Sequence, residues 1–149
     1  HVADLKATIA WARATAKVLV WLVGTSRGTQ SAAYAATVLQ GADAPDGVVL
    51  TATILTDDKQ RPVPAMPLEQ IKVPVLVVHH QQDGCSYCAY SEIPNLMAKL
   101  THTPRSHLIT ATGGKSQGDA CAAFAHHGFN GLEADVVGQM ADWILAPAR

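Results

Sequence analysis

Three segments of the chain carry side chains suited to nucleophilic catalysis. Residues 24–28, Gly-Thr-Ser-Arg-Gly, place Ser26 between two glycines. A serine hydroxyl is a weak nucleophile near neutral pH, so it needs a histidine to accept its proton and usually a carboxylate to orient the imidazole ring. Asp83 and the pair His126 and His127 follow later in the chain. These residue types favour acyl chemistry through a covalent serine intermediate.

The Gly-x-Ser-x-Gly pattern is short and occurs often by chance, so its context decides its meaning. The apolar stretch KVLVWLV precedes it and an alanine-rich helix is predicted after it, which leaves room only for a sharp turn. In such a turn the serine adopts a strained backbone, while Gly24 and Gly28 allow strand and helix to approach. The alternative is a glycine-rich turn in which Thr25 or Ser26 only caps a helix.

Asp83 follows a second apolar stretch, VPVLVVHHQQD, at the carboxyl end of a predicted strand. Open α/β proteins bind their ligands at that edge of the sheet. We therefore predict that Asp83 is the orienting acid. The alternative is an ordinary Asp-Gly turn formed by Asp83 and Gly84.

Four histidines are candidates for the base or for metal ligands. His126 and His127 lie in a glycine-rich loop after the last predicted strand, and the residue types alone do not choose between them. His79 and His80 end a strand and must point to opposite faces, so one of them could reach the site. Together with Asp83 they raise a zinc hypothesis. No fixed ligand spacing supports it, and we predict neither a metal nor a cofactor.

The elements that must position these residues alternate between strand-like and helix-like patterns along the whole chain. That order predicts an α/β fold of three layers (α/β/α) around a mostly parallel sheet, formed by one domain over residues 1–149. We predict strands at 17–23, 48–55, 73–80 and 106–112, and helices from 2 to about 14–16, at 30–39, 91–100 and 133–145. Gly41 is the expected C-cap of the second helix, and Ser91 the N-cap of the third. The last helix should bury Val136, Val137, Met140, Trp143 and Ile144 and end at Pro147. Residues 56–67 should form an exposed loop, and residues 113–131 a long functional loop.

Composition limits the class of partner. The 149 residues are 48% hydrophobic and 15% charged, with a formal net charge of −1. No basic cluster suits nucleic acid or an anionic membrane, and the longest apolar run is far shorter than the roughly 20 residues that span a bilayer. A small-molecule substrate is therefore the expected partner.

The three segments VLVWLVGTSRGT, VPVLVVHHQQDGC and CAAFAHHGFNGLE together resemble the α/β-hydrolase superfamily. The resemblance implies that Ser26 is the nucleophile, Asp83 the acid and His127, directly before Gly128 and Phe129, the base. It also implies that the backbone N–H of Arg27 contributes to an oxyanion hole. The expected activity is hydrolysis of an ester or related acyl bond. Acyl transfer with the same triad, or a non-catalytic binding or assembly role, are the alternatives.

Cys85 and Cys121 resemble a cysteine pair of secreted or periplasmic-type hydrolases, which implies a disulfide between the acid loop and the base loop. Each lies close in sequence to a proposed triad member, so both must be neighbours if Asp83 contacts His127. The alternative is three reduced thiols, Cys88 included, and a cytoplasmic location. The Cys85/Cys88 spacing by itself is weak evidence for a zinc or redox motif.

The chain departs from the resemblance at its beginning. Complete members have several strands before the serine turn, and a loop among them usually donates a second oxyanion N–H. Without them the first strand should lie exposed at the sheet edge. We expect either an N-terminal segment that completes the sheet or a homo-oligomer.

Overall fold

A computed structural model describes residues 1–59 and 61–146. It confirms the α/β class, with four parallel strands in the order β1-β2-β3-β4. The strands are β1 (Trp21–Thr25), β2 (Gly47–Thr51), β3 (Val75–His80) and β4 (Ser106–Ala111), and the helices are α1 (Val2–Ala16), α2 (Arg27–Val38), α3 (Ile93–Ala98) and α4 (Glu133–Leu145). Short 3₁₀ turns lie at Gly41–Asp43, Val63–Ala65, Leu68–Gln70, Tyr90–Glu92 and His126–Gly128.

The strand register brings the predicted site residues to one edge of the sheet. Thr25 pairs with Thr51, and Thr51 pairs with Val78, so the first three strands reach their carboxyl ends almost level. His80, at the end of β3, pairs with Ala111 of β4. Ser26, Asp83 and the loop after β4 all follow these strand ends directly. The parallel arrangement therefore concentrates them at one edge.

The two inner strands are buried on both faces, as a central parallel sheet requires. On one face, Leu50 and Val77 pack with α2 and α3. On the other, Val49, Leu76 and Val78 pack against the apolar side of α4. Helix α1 contacts α2 through Ile9. The sheet is thus the middle of three layers, with most of its helical cover on one side.

The first strand begins later than its apolar sequence predicts. Lys17 adopts a left-handed conformation and its N–H bonds to Arg13 O, which ends α1. The N–H of Val20 then donates to the Asp46 carboxylate at 2.7 Å, while Arg13 forms an ion pair with the same oxygen. Residues 17–20 are therefore connecting chain, and β1 runs from Trp21 through Gly24 to Thr25.

Three further boundaries differ from the prediction. Helix α2 begins at Arg27 instead of residue 30, and Gly41 is not its cap. The helix ends with Leu39 in an extended conformation, while Gly41, at φ +60°, begins a separate 3₁₀ turn. Strand β2 ends at Thr51 because Ala52 has φ +45°, which turns the chain. The third and fourth strands match the predicted bounds closely. Strand β3 begins at Val75 instead of residue 73, and β4 ends at Ala111 instead of residue 112.

The predicted exposed loop at 56–67 is wrong in part, because Val63 and Met66 are buried. Ser91 lies in a 3₁₀ turn and does not cap α3, which begins at Ile93. Helix α4 has the predicted bounds, but Val137 is 60% exposed and does not belong to the core. Pro147 lies outside the described residues.

Strand β1 lies at the edge of the sheet, as expected from the sequence. Val23 on this strand is 54% exposed, and the neighbouring Leu19 and Val18 are exposed as well. No helix in the described part of the chain is long and apolar enough to cross a bilayer.

Candidate active site

Ser26 occupies a strained turn between β1 and α2. Its φ of 51° and ψ of −121° lie in a region that residues with a side chain rarely adopt, at a cost of about 1–3 kcal/mol. Hydrogen bonds hold the turn in place: Ser26 N–H donates to Thr51 O at 3.0 Å, and Ser26 O accepts the N–H of Thr29 at 2.9 Å. The buried Thr29 hydroxyl also donates to Ser26 O and accepts the N–H of Ile54. The surrounding structure therefore fixes the conformation.

The two glycines that flank the turn play different roles. A Cβ on Gly24 would lie 2.5 Å from Gly28 O and 2.9 Å from Thr29 Cα, closer than real side-chain carbons approach backbone. A Cβ on Gly28 would meet nothing within 4 Å. The close approach of strand and helix thus requires glycine at position 24 only. We expected Gly24 and Gly28 both to allow this approach, and the expectation is correct for Gly24 and wrong for Gly28.

Arg27 follows Ser26 and opens helix α2. Its guanidinium forms an ion pair with the buried Asp57 carboxylate and lies 4.8 Å from the centre of the Tyr87 ring. The hydrogen bond to Asp57 raises the Arg27 pKa further above its ordinary value. The guanidinium is thereby held by Asp57 and Tyr87, and the backbone N–H of Arg27 lies next to Ser26 at the positive end of the helix.

Asp83 is oriented by contacts to both carboxylate oxygens. Its side chain is fully buried. Oδ1 accepts the N–H of Cys85 at 2.9 Å, and Oδ2 accepts Nδ1–H of His127 at 2.9 Å. The backbone N–H of Asp83 bonds to His80 O, so the residue sits in a tight turn directly after β3. Asp83 is more than an ordinary Asp-Gly turn residue, because its carboxylate bridges two loops.

His127 has the environment of an oriented base. The hydrogen bond to Asp83 places the ring proton on Nδ1, which leaves Nε2 as the basic atom. Nε2 is buried and has no hydrogen-bond partner among the described residues. The 3₁₀ turn at His126–Gly128 holds the ring, and a Cβ on Gly128 would lie 2.1 Å from Ala123 O. Glycine is therefore sterically required directly after His127.

His126 contacts other groups than Asp83. Its ring stacks on His80 at a centroid distance of 4.3 Å, and its Nδ1 lies 3.2 Å from Gln82 O. His80 accepts the Gln82 N–H at Nδ1 and donates from Nε2 to Gly113 O. Burial lowers the pKa of His80. His126 and His80 thus support the loops around the site.

His79 lies on the opposite face of β3 and is fully buried. Its Nδ1 accepts the N–H of Thr53 at 3.3 Å, and its Nε2–H donates to Cys88 O at 2.8 Å. The same Nε2 is 3.6 Å from Asp83 Oδ2. The sequence indicated His79 only as a neighbour that could reach the site. Its hydrogen bonds depend on a turn whose geometry no sequence pattern revealed.

A disulfide joins Cys85 to Cys121, as the resemblance implied. It connects the turn that carries Asp83 to the loop that carries His127. Cys88 is a free, buried thiol whose pKa is raised to about 12 by burial. Donor atoms of Cys85, Cys88 and His127 lie within 4.8 Å of one another. This group does not fit a metal, because the Cys85 sulfur is already bonded to Cys121 and the Cys88 thiol resists deprotonation.

Two grooves flank the proposed residues. One, of about 300 Å³, lies between the serine turn and the histidine loop and is lined largely by apolar groups. Its walls are formed by Thr25, Thr51, Phe129 and the α4 residues Val136, Val137 and Met140, among others. A more open groove of about 790 Å³ runs along α2 from Arg27 past Tyr34. No hydrogen bond joins His127 Nε2 to Ser26 in this conformation.

Neither a family model nor a curated protein matches the chain. Solved structures do match its fold. The esterase domain of a Rhodothermus marinus protein is 14% identical with a TM-score of 0.51, covering 76% of this chain and 58% of that one. An acetyl ester-xyloside bifunctional hydrolase from Caldicellulosiruptor lactoaceticus is 16% identical with a TM-score of 0.55, covering 82% and 58%. A truncated carbohydrate esterase from gut microbiota is also 16% identical with a TM-score of 0.53, covering 76% and 60%.

These likenesses define the class of fold: an α/β domain with the architecture of esterase domains. The chain spans about three fifths of the length of each of these structures. At this level of identity the comparison concerns the fold alone.

Proposed function

We propose that the chain is the catalytic-triad portion of a serine ester hydrolase of the α/β-hydrolase superfamily. The observation that carries the proposal is the 2.9 Å contact between His127 Nδ1 and Asp83 Oδ2, which leaves a buried, unpartnered Nε2 among the described residues. Ser26 follows a strand at the same edge of the sheet, in a strained turn. The three side-chain types are those of a serine, base and acid triad.

In the proposed reaction His127 Nε2 removes the hydroxyl proton of Ser26 as Ser26 Oγ attacks the ester carbonyl. Asp83 holds the imidazole in the required tautomer and stabilises the imidazolium that forms. The tetrahedral intermediate collapses when His127 protonates the departing alcohol oxygen, which leaves an acyl-Ser26. Water, deprotonated by His127, then attacks the acyl carbon. The bond from this carbon to Ser26 Oγ breaks, the carboxylic acid leaves, and His127 returns the proton to Ser26 Oγ. The Arg27 N–H and the positive end of α2 stabilise the oxyanion in both steps.

The groove of about 300 Å³ beside the serine turn suits a small, apolar acyl group. Two of the similar structures are an acetyl ester-xyloside hydrolase and a carbohydrate esterase, which favours short acyl esters of a sugar as the first substrates to test. A disulfide near the triad favours an oxidising compartment, so we propose a secreted or periplasmic location.

The proposed mechanism also needs a second N–H donor to the oxyanion, and we assign this donor to no residue of the chain described here. In the superfamily that donor belongs to a loop before the serine turn, and the loss of one donor costs about 10²–10³ in kcat. We therefore propose that full activity needs further strands beside β1.

Labelling with a fluorophosphonate probe tests the proposal. The wild-type protein should be modified at Ser26, and Ser26→Ala should not be modified. Ser31→Ala is the matched control, since Ser31 lies further along the same helix and lines the groove along α2. The control should be labelled like the wild type. Equal labelling of Ser26→Ala, or no labelling of the protein, would contradict the serine mechanism.

Two other functions use the same residues. Transfer of the acyl group to an acceptor other than water would need the same triad, and product analysis separates it from hydrolysis. A binding or assembly role is favoured by one observation, the missing hydrogen bond between Ser26 and His127 in this conformation. Catalytic hydrogen bonds often tighten only when substrate binds, so we rank hydrolysis first.

A further inference from the structure

We infer that His79 is a positioning residue that orients the Asp83 carboxylate by clamping the turn over residues 85–88. This inference rests on the proposed function, in which Asp83 is the triad acid. His79 itself contacts neither Ser26 nor His127 by a hydrogen bond among the described residues. Its effect on the reaction must therefore pass through Asp83.

A continuous series of hydrogen bonds connects His79 to the proposed base. His79 Nε2–H donates to Cys88 O at 2.8 Å, and Cys88 N–H donates to Cys85 O at 2.9 Å. Cys85 N–H then donates to Asp83 Oδ1, and Asp83 Oδ2 accepts the proton of His127 Nδ1, both at 2.9 Å. Each bond fixes the group that makes the next one. The orientation of His127, in a 3₁₀ turn, is thus linked to His79 on strand β3.

The proton of His79 is fixed on Nε2. The N–H of Thr53 points at Nδ1, which can accept this bond only when it carries no proton. Burial lowers the pKa of His79, so the ring stays neutral near pH 7 although Asp83 lies close. The titratable groups around it are Asp83, His127, His80 and Cys88, with the Tyr90 ring at 6.1 Å. A neutral, singly oriented donor is suited to hold a turn and not to transfer protons.

Two effects of His79 on Asp83 compete in sign. The Nε2–H dipole, 3.6 Å from Oδ2, draws electron density from the carboxylate and would weaken its hold on His127⁺. The clamp on Cys88 O keeps the carboxylate in line with His127, which strengthens that hold. At 3.6 Å the first contact is longer than a hydrogen bond, whereas the second is a full bond at 2.8 Å. We therefore expect loss of orientation to dominate when His79 is replaced.

Two substitutions distinguish the role of the hydrogen-bond donor Nε2–H from that of the acceptor Nδ1 in the His79 ring. His79→Gln can place an amide N–H near the position of Nε2, while His79→Asn reaches only the position of Nδ1. His102→Asn is the control, because His102 precedes β4 at the end of the sheet opposite the site, and its Nδ1 bonds to a backbone oxygen, Glu69 O. Circular dichroism and thermal melting of each variant identify those that fold.

The decisive readout is the low-field proton resonance of His127 Nδ1–H, assigned by its absence in His127→Gln. In His79→Asn this resonance should move upfield and exchange faster with solvent, because Asp83 Oδ2 no longer lies in line with Nδ1–H. His79→Gln and His102→Asn should leave it at the wild-type position. With an ester substrate, His79→Asn should lose about 10–100-fold in kcat with little change in KM.

An unchanged His127 Nδ1–H resonance in folded His79→Asn would overturn the inference, as would a downfield shift, or an equal upfield shift in His102→Asn. Should His79→Asn fail to fold, the same comparison is made between His79→Gln and Cys88→Pro, which removes the next N–H in the series. The NMR result does not depend on activity. If the resonance moves upfield but the fluorophosphonate never labels Ser26, the proposed function fails while the link between His79 and Asp83 stands.

Discussion

At the scale of single residues, the turn at Ser26 depends on one glycine. Gly24 is enclosed by the backbone of Gly28 and Thr29, whereas the Cβ position of Gly28 is open. A backbone contact cannot be relieved by a rotamer change, so strand and helix would have to separate. The two glycines are equivalent in the sequence pattern, and they differ only in how closely the backbone packs around each of them.

Gly24→Ala should therefore be destabilised by more than about 2 kcal/mol and should lose probe labelling, because overpacking displaces the serine turn. Gly28→Ala, the matched control, should fold at least as well as the wild type, with up to about 1 kcal/mol gained from helix propensity. Urea unfolding and labelling measure both. A Gly24→Ala protein as stable as Gly28→Ala would contradict the close approach described here.

Residue types and chain order predicted that Asp83 meets one of two adjacent histidines, and only the resemblance selected His127. Asp83 and His127 are in contact. The local reasons were not accessible from sequence: the Ala123 carbonyl that demands Gly128, and the Cys88 carbonyl that holds His79. Both are backbone groups of turns without periodicity, so no pattern of apolar residues reports them.

At the scale of elements, strands and helices whose faces bury continuous apolar residues were predicted best. Strands β3 and β4 and helix α4 match within about two residues. Strand β1 differed because its apolar sequence begins before the chain becomes extended, at a left-handed Lys17 and a carboxylate that binds the Val20 N–H. Apolar character marks what can be buried, whereas hydrogen bonding decides where the strand starts.

The disulfide between the two site loops should contribute to both stability and activity. Cys85 and Cys121 are separated by 36 positions in the sequence, and closing such a loop is worth on the order of 4 kcal/mol in the chain-entropy model. The double variant Cys85→Ala/Cys121→Ala should melt roughly 8–16 °C lower. Its labelling should slow, because the loops of Asp83 and His127 lose their covalent link.

Cys88→Ala serves as the control, since Cys88 is buried but forms no disulfide. The melting temperature of Cys88→Ala should fall by less than that of the double variant. Because Cys88→Ala keeps the disulfide, the reductant dithiothreitol should lower its melting temperature further. Differential scanning fluorimetry with and without reductant measures these shifts. A double variant as stable as the wild type would show that the disulfide does not constrain the loops.

At the scale of the whole molecule, β1 is an edge strand of the four-stranded sheet and carries an exposed apolar side chain. The β1 edge has no strand beyond it in the described part of the chain, and Val23 is 54% exposed there. Exposed apolar edges pair readily with other strands. The number of predicted strands indicated that β1 would lie at an exposed edge, but it did not indicate which segment or chain would pair with this strand.

The 149-residue chain should therefore associate as its concentration rises, as followed by sedimentation velocity. Val23→Lys should weaken that association by at least about tenfold, since a lysine at the edge must be desolvated on pairing. Val38→Lys is the control, because Val38 is 44% exposed at the far end of α2. A chain that stays monomeric at all concentrations, or equal effects of the two lysines, would contradict pairing through β1.

Because β1 lies at the edge of the sheet, the hydrogen exchange of its amide protons reports whether another strand has paired with it. Strands β2 and β3 have a neighbour on each side and should exchange hydrogen with solvent slowest of all. The outward amides of β1 should exchange fast while the edge is bare. Protection that appears at Trp21–Thr25, one residue from the proposed nucleophile, would therefore register the arrival of a further strand before any substrate is turned over.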